Sequence, residues 1–238
     1  MEQPDQGGIT VASLSLSIVL PVHRPAGLAT LVAECLAAAA RYVDDYELIL
    51  VVDGNAAASA AAARLAATHW PVAALHYPRR RGYRFVLYEG WSVARGDYIL
   101  TLEGSNLASG AEISRLLALM PSYAAVFGYR ERPAPDPIER LVATAIRARS
   151  APAMRDPTLH LALLRADLRD LLSPAGPDAL VVAELYAAAQ QRALAVAEVA
   201  VAGAPAAPGH STLRAGAVLL LAGGLWLLRR RLPRGQRA

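Results

Sequence analysis

Along the first two thirds of the chain, short and nearly continuous apolar runs alternate with Ala-rich stretches of helical spacing. That rhythm predicts βαβ units and a mostly parallel sheet. Ser15 to Val22 (SLSIVLPV) reads as a buried strand. From Gly27 to Ala40, the residues Leu28, Leu31, Val32, Cys35, Leu36 and Ala39 recur at helical intervals and predict an amphipathic helix. Tyr46 to Val52 (YELILVV) is a second strand, stopped by the turn cluster Asp53-Gly54-Asn55. A second Ala-rich helix runs to about His69, and Val72 to His76, Asp97 to Leu102 and Tyr123 to Tyr129 supply further strands. Residues 131–160 break the rhythm with several prolines around a helix near Ile138 to Ser150, either a cover over a substrate or a plain connector. A helix near Asp178 to Arg192 and a strand at Leu194 to Val201 complete the α/β body, which shows no internal repeat.

The C-terminal segment differs. After a linker at 203–212, Ala215 to Leu228 carries no charge and is followed by Arg229, Arg230 and Arg231. Fourteen helical residues would span roughly 21 Å against a hydrocarbon core of roughly 30 Å, a gap that flanking arginines can narrow by snorkelling. The segment is apolar on all sides, which predicts a membrane-associated helix at 213–232 with a basic tail at 233–238; a buried core helix is the competing reading. Met1 to Gly8 is polar and acidic and resembles no signal peptide, residues 1–12 are expected to be disordered, and the body is expected on the cytoplasmic face of the membrane.

Composition sharpens this picture in two places. The 238 residues include 51 Ala, 24 Arg and no Lys, and are 55% hydrophobic, which excludes a disordered chain. The formal charge of +4 resides in the tail, because residues 1–228 carry 19 Arg against 20 acids; a nucleic-acid-binding face is therefore not expected. Cys35 is the only cysteine, so neither an internal disulfide nor a cysteine-based zinc site is available. No G-x-S-x-G or G-x-G-x-x-G element occurs, and His23 and His160 lack zinc-ligand spacing.

In open α/β sheets ligands sit beyond the carboxyl ends of the strands. Here those ends carry PVHR (residues 21–24), DGN (53–55), the stretch from Pro78 to Gly82, and EGSN (103–106). Their order, with SIVLPVHRP, ELILVVDGN, RRRGYRFVLYEGWSVARGDYILTLEGS, VFGYRER, ERLVAT, MRDPTLHLALLRADL, VVAELYAAAQQRALAVAEVAV and PGHSTLR, resembles the family 2 glycosyltransferases of GT-A fold, in particular the dolichyl-phosphate mannosyltransferase-like branch. The resemblance covers about 85% of the chain, residues 13–214. It implies a GT-A-type, Rossmann-like, mostly parallel sheet flanked by helices over 13–202. It also implies a membrane-associated enzyme that moves a sugar from a nucleotide-sugar donor to a polyprenyl-phosphate-like or other acceptor, with membrane lipid or a membrane protein as further partners.

By that resemblance Pro21, His23, Asp53, Gly82, Glu103 and Ser105 would contact the donor, Glu103 and Asp156 would serve catalysis, and Arg130, Arg132 and Arg140 would meet phosphate or acceptor. The family's D-x-D, which holds a divalent cation (Mg or Mn), reads Glu103-Gly104-Ser105 here, leaving Glu103 as the one carboxylate for a metal. The first Asp of the family's D-D-G is Val52, and its Asn-Glu pair after the first strand is Arg24-Pro25. Two accounts follow: a site that neutralises an anionic donor with Arg24, Arg79, Arg80, Arg81, Arg130, Arg132 and Arg140, all expected near the sheet's carboxyl edge, or a degenerate relative that binds a nucleotide, lipid or protein partner without catalysis. Asp97 is expected to be a structural cap and Glu184 to lie on a solvated helix face.

Overall fold

Apolar side chains on both faces of a strand require a layer of helices on each side, and this chain supplies them in alternation. The computed structural model describes residues 14–102, 110–131 and 137–202. Its strands are β1 (Ser15–Val22), β2 (Asp45–Asp53), β3 (Val72–Tyr77), β4 (Tyr98–Leu102), β5 (Ala125–Arg130), β6 (Leu161–Arg165) and β7 (Val196–Val201). They form one sheet in the order β3-β2-β1-β4-β6-β5-β7. All neighbours are parallel except β6, which runs antiparallel to both β4 and β5. The carboxyl ends of the six other strands therefore share one edge, and the beginning of β6 arrives at that same edge, with Leu161 opposite Leu102.

The helices are α1 (Leu28–Ala39), α2 (Ala56–Thr68), α3 (Tyr83–Val93), α4 (Gly110–Leu117), α5 (Pro137–Arg149) and α6 (Val181–Gln191). Leu16, Ile18, Leu20 and Val22 of β1 turn to one face, packing in a layer with α1, α2 and α4. Val19 of β1 and Ile49 and Val51 of β2 turn to the other, packing with Val86, Leu87 and Trp91 of α3, Val142 and Ile146 of α5, and α6. Each such fully buried aliphatic side chain contributes about 2 kcal/mol. Burial, reinforced by the charge of Glu34, pushes the Cys35 thiol up to about 12, so this cysteine packs the core as an inert thiol.

Every predicted strand and helix in the described residues is present, with ends moved by at most about four residues. Three elements carry no sequence prediction: α3, α4 and β6. In α3 the buried face includes Arg84 and Gly90, which breaks the apolar period; α4 is 8 residues long and β6 is 5, too short for periodicity to decide. Within the proline-rich region, α5 is a packed helix seated on the sheet through Val142 and Ile146, and residues 132–136 lie outside the described residues. Asp97 is the expected cap: its Oδ2 accepts from the Ser15 amide at 2.9 Å and the Ser15 hydroxyl at 2.8 Å, joining the starts of β1 and β4. Among the described residues no helix is long and apolar enough to cross a membrane. The N-terminal segment 1–12, the linker 203–212, the apolar segment 213–232 and the tail 233–238 lie outside the described residues.

Gly96 sits where a Cβ would lie 2.5 Å from the Ser17 amide nitrogen and 2.7 Å from the Leu16 carbonyl carbon. Backbone atoms cannot yield there, so Gly96→Ala is expected to destabilise the fold by about 2 kcal/mol, read as a lowered midpoint in urea unfolding.

Candidate functional site

Three loops at the carboxyl edge are tied to one another by short polar side chains. Asn55, the N-cap of α2, accepts from the Ala58 amide through Oδ1 and donates from Nδ2 to the His23 carbonyl, both at 2.9 Å. The loop after β1 is thereby joined to the turn after β2. Gly54, at φ 69°, donates its amide to the Tyr77 carbonyl and passes so close to the next loop that a Cβ would lie 2.6 Å from the Arg80 nitrogen. Only glycine combines that backbone angle with that approach.

Asp53 ends β2 as a buried carboxylate. Its Oδ1 accepts from the Arg81 amide at 2.6 Å and its Oδ2 from the Gly82 amide at 3.1 Å. The next two amides are taken by a second carboxylate from far along the chain: Asp178 accepts from Tyr83 and Arg84, each at 3.0 Å. Four consecutive N–H groups leading into α3 are thus satisfied by two acids, which also oppose the positive end of the helix dipole. Gly82, at φ 101°, is the hinge between the pairs. Behind it, buried Arg84 donates to Glu184 at 2.7 Å and to the carbonyls of Pro177 and Ser173. Glu184, expected on a solvated face, is half-exposed and is the anion of this ion pair.

Around this frame Arg24, Arg79, Arg80 and Arg81 are exposed. Arg81 lies over the Phe85 ring at 4.2 Å from its centroid. Tyr83 stacks on His160 with ring centroids 4.3 Å apart, so the first turn of α3 touches the residue that precedes β6. His23 is half-buried and Pro21 is buried within β1. Glu103, Ser105 and Arg132 lie outside the described residues, as do Gly104 and Leu107.

A second polar centre closes the far half of the same edge. Arg130, at the end of β5, donates to both Asp156 oxygens at 2.7 and 3.0 Å and pairs with Glu139 of α5 at 2.7 Å. The Thr158 hydroxyl accepts from Arg130 at 2.6 Å and lies 3.1 Å from Glu139 and 2.9 Å from Asp156. Burial pushes the Asp156 carboxyl upward, but the hydrogen bonds and charge of Arg130, with help from Thr158, hold it below the usual carboxylate range. Burial disfavours the Arg130 cation as well, yet Asp156 and Glu139 together keep it more firmly protonated than a free guanidinium. Arg130 and Asp156 therefore spend their charges on each other, whereas Arg140 stands exposed on α5.

Sequence reading placed Asn55 in a turn and assigned no role to Asp178, Arg84, Glu139 or Thr158. Two of them left a signal: Arg84 shares its helical face with Leu87 and Trp91, and Glu139 with Val142 and Ile146. Asp178 left none, since its partners are 94 and 95 residues away. Among the described residues no three His, Cys, Asp or Glu side chains converge to hold a metal ion. Asp53 accepts from two backbone amides, and Glu103 lies outside the described residues.

Residues 17–156 match the family profile described as Glycosyl transferase family 2. No curated protein matches. Similar solved structures include glucosyl-3-phosphoglycerate synthase from Mycobacterium tuberculosis in complex with Mn2+, uridine diphosphate and phosphoglyceric acid, at 19% identity and TM-score 0.70, covering 93% of this chain and 80% of that one. Mannosyl-3-phosphoglycerate synthase from Rubrobacter xylanophilus is similar at 16% identity and TM-score 0.66, covering 94% and 77%. At such identities the likeness is one of fold, and it agrees with the GT-A-type arrangement of the sheet. The dolichyl-phosphate mannosyltransferase-like branch receives no support from these matches.

Replacing Arg130 by Ala strands two buried carboxylates, and a loss of about 3–5 kcal/mol is expected in chemical denaturation. The depressed Asp156 pKa stabilises the fold above the free-Asp value of about 3.9, a contribution lost as pH falls through the lower native value. On acidification below about pH 4, wild type should therefore lose stability more steeply than Asp156→Asn.

Proposed function

The chain belongs to glycosyl transferase family 2, and from that premise we propose that it transfers a glycosyl group from a nucleotide-sugar donor to a phosphate-bearing acceptor. One observation carries the reading for this chain: Arg24, Arg79, Arg80 and Arg81 stand exposed on neighbouring loops at the carboxyl edge, and no carboxylate forms a salt bridge with any of them among the described residues. Elsewhere arginines such as Arg84, Arg95, Arg130 and Arg165 are paired. Exposed guanidinium groups without a salt bridge among the described residues suit a diphosphate, which they can grip through two parallel hydrogen bonds.

In the transfer, the bond from the anomeric carbon to the diphosphate oxygen breaks and an acceptor oxygen bonds to that carbon. The nucleoside diphosphate leaves with the electron pair, and cationic groups stabilise the charge it gains. An anionic phosphate oxygen as nucleophile needs no general base, which fits a site where Asp156 is held in an ion pair. Glu103 is the carboxylate expected to contact a metal ion or the diphosphate. Comparison structures hold Mn2+ with uridine diphosphate, so cation dependence belongs in the assay.

Two sources of acceptor phosphate share this chemistry. The apolar segment at 213–232 with its arginines favours a polyprenyl-phosphate-like lipid at the cytoplasmic face of a membrane; the similar synthases name phosphoglyceric acid. Calorimetric titration with uridine and guanosine diphosphate sugars, with and without Mn2+, is expected to give binding that falls at least tenfold in an Arg79→Gln, Arg80→Gln double variant. Turnover with polyprenyl phosphate but not phosphoglycerate would select the lipid source, and the reverse the small acid. Binding without turnover would favour the degenerate, non-catalytic relative. Absence of binding to any donor would refute the proposal.

A further inference from the structure

The strap between β6 and α6 reaches the start of α3 through the carboxylate of Asp178 and two backbone carbonyls. Residues 173–180 leave the second face of the sheet and cross the beginning of α3, where Asp178 accepts the Tyr83 and Arg84 amides. The approach is close on both sides. A Cβ on Gly82 would lie 3.0 Å from Asp178 Oδ2, and a Cβ on Gly176, at φ 131°, would lie 3.1 Å from Arg84 Cζ. Arg84 returns the contact by donating to the carbonyls of Ser173 and Pro177 within the strap. The loop that carries Arg79, Arg80 and Arg81 and the helix start it runs into are therefore held from two directions: Arg81 and Gly82 by Asp53 from the end of β2, and Tyr83 and Arg84 by Asp178 from the strap.

We propose that Asp178 is a positioning residue for donor binding, fixing the arginine loop from the strap while closing the start of α3 to ligand phosphates. The inference rests on the donor reading above. With all four amides consumed, the anion-binding capacity usual at a helix start is spent internally, and the diphosphate is left to the guanidinium groups. Their placement then depends on the backbone of residues 79–82. Asp53 holds the sheet side of that backbone from a buried position. Asp178 is exposed, so its removal frees the helix side without opening a cavity in the core.

The test uses the full chain with Asp178→Ala and, should that variant fold poorly, the near-isosteric Asp178→Asn, which keeps one accepting oxygen. Hydrogen exchange over residues 79–86 and calorimetric binding of uridine and guanosine diphosphate sugars are measured on the same samples. The expected result is faster exchange at residues 81–84, a loss of donor affinity of roughly tenfold for the Ala variant and a smaller loss for Asn. In steady state the change should appear in KM for the donor with kcat nearly unaltered, a split that general destabilisation would not give. Faster exchange with unchanged donor affinity would overturn the positioning role alone. Wild-type protein that binds no donor would overturn both this role and the donor reading, and unchanged exchange would show that Asp178 does not hold the loop.

Discussion

Four backbone amides in succession, from Arg81 to Arg84, must find acceptors where β3 gives way to α3, and two carboxylates meet that demand from opposite sides. An unpaired buried amide costs about as much as a lost hydrogen bond, so the loops after β1, β2 and β3 cannot rearrange independently. Asp53 belongs to the sheet, Asn55 reaches the first loop, and Asp178 brings in the chain beyond β6. The loops that carry the four exposed arginines are tied to the sheet and to α3 through their polar backbone.

Arginine is used in two opposed ways along the same edge. At the ends of β1 and β3 the exposed arginines have no salt bridge among the described residues, and Arg81 rests on Phe85. At the end of β5 the guanidinium of Arg130 is enclosed by Asp156, Glu139 and Thr158, and its task is to fasten α5 to the sheet. A composition with 24 Arg and no Lys makes both uses look alike in sequence. What separates them is the position of carboxylates contributed by other elements.

Much of the architecture was legible because burial on both faces of β1 and β2 leaves an uninterrupted apolar run, and because α1 and α2 keep a clean helical period beside them. α3 escaped notice since its inner face admits Arg84 beside Gly90 and Trp91, a charge made tolerable only by Glu184 and two carbonyls of a distant strap. The candidate site was legible as a set of strand ends and no further. Asp53 was found at the end of its strand, but its partners are backbone amides, which carry no residue type. Asp178 and Glu139 act across 95 residues of separation in one case and through helical phase in the other.

The lone reversed strand gives the sheet an unusual freedom. Because β6 enters between β4 and β5 from the opposite direction, the segment before it reaches the functional edge without being the tail of a parallel strand. His160 and Thr158 sit on that incoming segment, one stacked on Tyr83 of α3 and one bound to Arg130. Insertions or exchanges between α5 and β6 could therefore remodel what the edge accepts while leaving the β3-β2-β1-β4 half untouched. Evolutionary tinkering, or a protein engineer seeking new acceptor preferences, would find a replaceable module there.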